Sequence, residues 1–178
     1  YSNLVVLRRS VEEVTQSLGA YERLMGDTVT LINKMKEIRH HMDDQAKIFM
    51  ENGRAYLESQ ESAMGKHLFQ NDTAAAKDRL VKITRANDLL DRGNEVRIAA
   101  WRSQGLRDPK IIAEALPVFD KILKTIEELR SLTTRDENLR QIAVIEGAAK
   151  GYQGAVQDLA TTWQALQELN AQRTAVAG

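Results

Sequence analysis

The chain has 178 residues, 43% of them hydrophobic and 28% charged, enough for one domain or two small bundles. Its 25 basic and 25 acidic residues cancel, so nothing points to the basic face of a nucleic-acid binder, and the lack of cysteine excludes a disulfide scaffold or a cysteine-based zinc site. No apolar run approaches the roughly 20 residues that cross a membrane, and having only two prolines, Pro109 and Pro117, favours helix throughout.

The first 67 residues contain no proline. Leu4, Leu7, Val11, Val14, Leu18, Tyr21, Met25, Thr28, Ile32, Met35, Ile38, Met42 and Phe49 recur at steps of three and four, with a slip near Ile38. That spacing keeps one stripe of a helix facing partner helices. It predicts a helix from about Asn3 to His67, roughly 100 Å long at about 1.5 Å per residue. Such a helix is either a coiled-coil arm or a strut passing through more than one bundle. Gly19, Gly26 and Gly53 lie inside it, as expected of close helix contacts or bends. The start, Tyr1-Ser2-Asn3-Leu4, has neither an initiator Met nor a signal-peptide pattern. It reads as a piece of a longer protein, whose other parts are the place for any transmembrane segments.

Residues 68–73 read as a turn, with Asp72 or Thr73 capping a second helix that runs to Gln104 and stops at Gly105. Asp108 followed by Pro109 opens a third helix, with Ile112, Leu116, Phe119, Leu123, Ile126 and Leu129 as its apolar face. Pro117 lies inside it and is expected to kink it or remove a hydrogen bond, widening a pocket at its level. Thr133 or Thr134 caps a fourth helix, which carries Leu139, Ile142, Ile145, Ala149, Tyr152, Val156, Leu159, Trp163, Leu166 and Leu169 and ends near Val176.

The lengths constrain the architecture. Short connections make neighbouring helices antiparallel. Residues 36–157 then form a complete four-helix bundle, and residues 1–35 and 158–178 are the remnants of a second. The seam from Leu4 to Met25 needs wider cover than two helices give, from a second copy of the chain or from helices outside it. The expected fold is therefore all-α: a long-helix four-helix bundle joined to an incomplete one.

Helix two is anomalous. Extending its seam from Leu80 and Ile83 gives Asn87, Leu90, Asn94, Arg97 and Trp101, so three polar groups fall where aliphatic ones are expected. A buried amide or guanidinium without a partner costs several kcal/mol, on the order of 2–7. Two readings stand side by side. Arg97 holds a ligand carboxylate through its planar fork. Alternatively it pairs with Asp44, Asp88, Asp91 or Glu95, or the helix is rotated to bury Ala86, Leu89, Gly93, Val96 and Ala100 while Arg97 reaches water. Counting from the tip turn places His41, Asp44 and Gln45 opposite Arg97. Tyr152, Trp101 and Trp163 are each sufficiently explained as core packing. The sequence holds no phosphate loop, nucleophile elbow or cysteine nucleophile, so no enzyme is expected. The cluster His40, His41, Asp43 and Asp44 reads as a solvated surface and not a metal site, since adjacent histidines point to different faces. No cofactor is expected.

Three runs carry a resemblance: RLVKITRANDLLDRGNEVRIAAWRSQGLRDP from residue 79, ALPVFDKILKTIEELRSL from 115 and AAKGYQGAVQDLATTWQAL from 148. Together they resemble the second half of the helical bimodular sensor domain of bacterial chemoreceptors, and residues 3–67 look like that family's long third helix. The resemblance implies two stacked four-helix bundles in the periplasm, between two transmembrane segments of an inner-membrane receptor. It implies small ligands such as organic acids or amines bound between helices, with the first two short helices absent from this chain. The family's basic ligand residue matches Arg97. A second arginine one turn later in acid-binding members is Trp101 here, followed by Arg102. The mid-helix tyrosine is Tyr152, and the next residue is Gln153 where some members have arginine. These departures turn the expectation from a dicarboxylate towards an organic acid of another kind, an aromatic acid or an amine. The candidate ligand residues are Arg97, Asn94, Trp101 and Tyr152, with Gln45, Asn87 and Arg102 as further contacts. The expected partners are that small molecule and a second copy of the chain in a homodimer, with no nucleic acid and membrane contact only through segments outside it. A sensor domain of a histidine kinase shares every one of these features, and a structural coiled-coil or adaptor protein needs no ligand at all.

Overall fold

The computed structural model describes residues 2–177, with side chains from residue 4 to 176. Four helices follow one another: α1 (Ser2–Phe69), α2 (Thr73–Leu106), α3 (Pro109–Ser131) and α4 (Asp136–Ala177), with no strand among the described residues. The protein is an all-α bundle. The chain divides into two compact units, Ile38–Ala160 and Tyr1–Glu37 with Thr161–Gly178.

Ile38–Ala160 contains parts of all four helices and forms a four-helix bundle. Its core is drawn from every helix: Met42, Phe49 and Tyr56 of α1, Leu89 and Val96 of α2, Phe119 and Ile126 of α3, and Ile142, Ile145 and Val156 of α4. Burying each such aliphatic or aromatic side chain contributes about 1.5–3 kcal/mol before entropy is counted. Two glycines let α1 and α2 approach closely. A Cβ on Gly93 of α2 would lie 2.4 Å from Cε1 of Phe49, and one on Gly53 of α1 would lie 2.7 Å from Cδ2 of Leu90. Each helix thus accepts a large side chain from the other over a position without one. Gly19 and Gly26, by contrast, have open space around them and mark no close contact.

The turns follow local chemistry. Asn71 takes a left-handed conformation (φ 59°), and Asp72 Oδ1 then accepts from the Ala75 amide at 3.0 Å, so Asp72 is the cap of α2. Helix α2 does not stop at Gly105. It runs to Leu106, and Arg107 closes it in the left-handed region (φ 54°), because the Ser103 hydroxyl holds the next turn by donating to the Asp108 carbonyl at 2.7 Å. Asp108 caps α3, with Pro109 at its first position. Neither Thr133 nor Thr134 opens α4, which begins at Asp136. Thr133 is committed elsewhere: buried, it donates to the Leu129 carbonyl and accepts from the Tyr56 hydroxyl at 3.1 Å.

One expectation about helix faces changes, and one choice left open by the spacing is decided. In α3, Pro117 lies on the exposed face and does not line the cleft at Arg97, while Ala115, Val118, Ile122 and Thr125 join Ile112, Phe119, Ile126 and Leu129 in the core. A proline inside a helix removes an amide donor and crowds the carbonyl one turn back, and on a solvated face that carbonyl can tilt out to water. In α2 the buried face is the rotated one, Ala86, Leu89, Gly93, Val96 and Ala100, with Ile83 and Leu90 at its margin. Asn87 and Trp101 are exposed, and Asn94 and Arg97 are half-buried. The rotation spares two amides and a guanidinium from full desolvation and turns small residues towards α1.

In the other unit, Thr28, Met35, Thr162 and Trp163 are buried, and Arg173 Nη1 lies 3.3 Å from the Met25 sulfur. The apolar stripe ahead of them is not covered: Leu4, Leu7, Val11, Val14 and Leu18 are each 56–67% exposed. Among the described residues, no helix is long and apolar enough to cross a membrane.

Candidate functional site

A cleft of about 320 Å³ opens within Ile38–Ala160 between α1, α2 and α4. From α1 it is lined by Asp43, Ala46, Lys47, Met50, Glu51 and Arg54; from α2 by Arg97 and Trp101; and from α4 by Tyr152. The helical repeat explains the α1 set, since positions 43, 47, 51 and 54 fall within one face. Ala46 and Met50 are buried at its inner edge.

Arg97 is the centre of the site. Its Nη1 donates to Asn94 Oδ1 at 3.0 Å, and its Cζ lies 5.4 Å from the centroid of the Trp101 ring. The contact with the indole is worth about 0.5–1 kcal/mol at an exposed site and helps to hold the guanidinium in place. Among the described residues, Arg97 makes no ion pair with a carboxylate, neither with Asp44, Asp88, Asp91 or Glu95 nor with any other. The charge is therefore oriented by an amide and a ring, and not neutralised.

Tyr152 forms the inner wall. It is buried and meets Phe119 edge to face, with centroids 5.7 Å apart and planes at 77°. Burial pushes its phenol up to about 12, while the Arg97 charge opposes that rise and the Asp43 charge adds to it. The hydroxyl thus stays protonated at neutral pH and can donate. Behind it, Arg97, Tyr152 and Ala46 share a wall with a small apolar void bounded by Phe49, Gly93, Phe119, Ile122 and Ala149. At about 10 Å³, it has room for one water-sized group.

The structure brings together Arg97, Trp101 and Tyr152 directly, with Asn94 as the group that orients Arg97. Gln45 is half-buried and lies over Gly151, where a Cβ would fall 2.8 Å from its Oε1, so it packs α1 against α4 beside Tyr152 without lining the cleft. Asn87 is exposed and stands outside it. Arg102 faces a different groove, about 520 Å³ between α2 and α3, which Asn94 also borders together with Asp91, Glu95, Ile98, Ile111 and Glu114. His41 and Asp44 do not line the cleft. The residues that sequence reasoning missed are Asp43, Lys47, Glu51 and Arg54. Their signal was present, as four charges on one helical face, but such a stripe usually belongs to a solvated surface. Among the described residues, no group of three or more His, Cys, Asp or Glu side chains could hold a metal ion.

Fold and cleft together define an all-α bundle with a mixed-charge cleft between its helices. No protein-family model, curated protein or solved structure matches the chain.

Proposed function

We propose that this chain is the extracytoplasmic sensor domain of a bacterial chemoreceptor, lying in the periplasm and binding a small organic molecule between the helices of the bundle Ile38–Ala160. The observation that carries the reading is Arg97, a guanidinium fixed by Asn94 and Trp101, without a carboxylate partner among the described residues, in a cleft walled by Tyr152. A structural coiled coil gives no reason to keep such a charge oriented and unpaired beside a buried phenol. The resemblance of residues 79–178 to the helical bimodular sensor domains supports the same conclusion. In this reading the exposed stripe from Leu4 to Leu18 is covered by a second copy in a homodimer or by helices outside this chain. Ligand binding favours one of two packings of the long helices, and their ends pass a small displacement to the membrane.

The test is a thermal-shift screen of organic acids, aromatic acids, amino acids and amines, followed by Arg97→Ala. The substitution is expected to abolish ligand-induced stabilisation while the far-ultraviolet circular dichroism and the ligand-free melting curve stay unchanged. A ligand that still stabilises the variant fully would remove Arg97 from the site.

A further inference from the structure

Four of the charges in the cleft come from one face of α1 and alternate in sign: Asp43, Lys47, Glu51 and Arg54. Acid and base three or four residues apart on a helix can pair on its surface. Here they do not: among the described residues none of the four makes an ion pair or a side-chain hydrogen bond. With Arg97 opposite, the cleft presents three cations and two carboxylates around one phenol, and Arg97 and Asp43 act on that phenol in opposite senses. Opposite charges therefore flank a single donor at the inner wall.

This arrangement discriminates among ligands by charge. A dicarboxylate gains Arg97, Lys47 and Arg54 but meets Asp43 and Glu51. A simple amine gains the two carboxylates but meets the three cations. A compact molecule carrying both charges sets each against its opposite, and like-charge contact is what excludes the others. Its uncharged part would lie against the apolar side of the cleft, made by Met50, Ala46 and the exposed face of Trp101.

We infer that the cleft binds a zwitterion of the α-amino acid type, its carboxylate on Arg97 and the Tyr152 hydroxyl and its ammonium on Asp43. The inference rests on the reading of the cleft as a ligand site. Tyr152 donates to the carboxylate and Arg97 meets it as a charge, while Asp43 accepts from the ammonium.

Two matched sets of probes test it by calorimetric titration of the full 178-residue chain: L-valine, isovalerate and isobutylamine; and L-phenylalanine, 3-phenylpropionate and 2-phenylethylamine. At least one amino acid is expected to bind about 10-fold or more tightly than both of its analogues, each of which lacks one charged contact. Asp43→Asn is expected to weaken that amino acid about 10-fold and not to weaken the matching carboxylate, which loses only a like-charge neighbour. Arg97→Gln weakens both, and the melting temperatures of the ligand-free variants show that the fold is kept. A carboxylate or an amine that binds as tightly as its amino acid overturns the inference, as does failure of both amino acids to bind. If Arg97→Gln still weakens a carboxylate in that case, the cleft remains the ligand site and only the ligand class is wrong. Binding that neither variant changes removes the cleft itself.

Discussion

Gly93→Ala tests the close approach of α1 and α2, because two opposing effects meet at one atom. In a helix interior, replacing glycine by alanine gains about 1 kcal/mol of intrinsic propensity. At Gly93, however, the new methyl would lie 2.4, 3.1 and 3.4 Å from three ring carbons of Phe49, a side chain that is only 4% exposed. An aromatic ring in a packed core cannot bend away, so ring or helix must shift, and overpacking of this kind costs about 1–3 kcal/mol. The 2.4 Å approach is well inside contact distance, which argues for the upper part of that range and a net loss of about 1–2 kcal/mol. Gly147→Ala is the control. Nothing lies within 4 Å of the new methyl on the exposed face of α4, so the propensity gain of about 0.5–1 kcal/mol appears alone. Urea unfolding followed by circular dichroism should place the two variants on opposite sides of the parent, separated by about 2 kcal/mol, with unchanged slopes. Gly93→Ala should also be far less harmful in a Phe49→Leu background, with a coupling of about 1 kcal/mol or more. A Gly93→Ala variant as stable as the parent would refute the close-approach argument.

Three further outcomes follow from buried or paired polar groups. Tyr152 titrates at about 12 instead of 10, so the native state holds its proton while the unfolded chain releases it. That stability is fully present below pH 10 and is lost as pH rises through 12, on the order of 3 kcal/mol in all. Absorbance titration at 295 nm should lose its latest-ionising component in Tyr152→Phe, and an unchanged curve would contradict the burial of this phenol. Tyr56→Phe removes the donor to Thr133 Oγ1, the buried residue of the turn before α4, costing about 0.5–1.5 kcal/mol by denaturant unfolding. Glu146 accepts from Lys150 and from Arg130 of α3, which hold its carboxyl below the usual range. Its contribution is therefore present above the ordinary glutamate value and is lost as pH falls through the depressed one. Glu146→Gln should lower the melting temperature at pH 7, by an amount no larger than a partly exposed pair allows, and the difference should shrink as pH falls through the depressed value.

The helices themselves are determined by sequence. Three-four apolar spacing, the scarcity of proline, Asp72 after the Asn71 turn, and Asp108 before Pro109 are local signals, and each element except the start of α4 opens where they place it. Thr133 misled because a threonine that caps and one that serves a buried network look alike until the partner, Tyr56, is present. Which face each helix buries was decided only by tertiary packing. Spacing allowed both the seam through Asn87, Asn94 and Arg97 and the one through Ala86, Gly93 and Val96. The cost of desolvating polar groups, and the room that Gly93 leaves for Phe49, selected the second. That rotation brought Arg97 to the margin of the core instead of its centre, beside Trp101 and against charges of α1 some 50 residues earlier in the chain. A sequence can name an arginine that is costly to bury. Its amide and indole neighbours are local, one turn either side on α2, but only the packed bundle sets the three at an open cleft, because that depends on how the helices turn against one another.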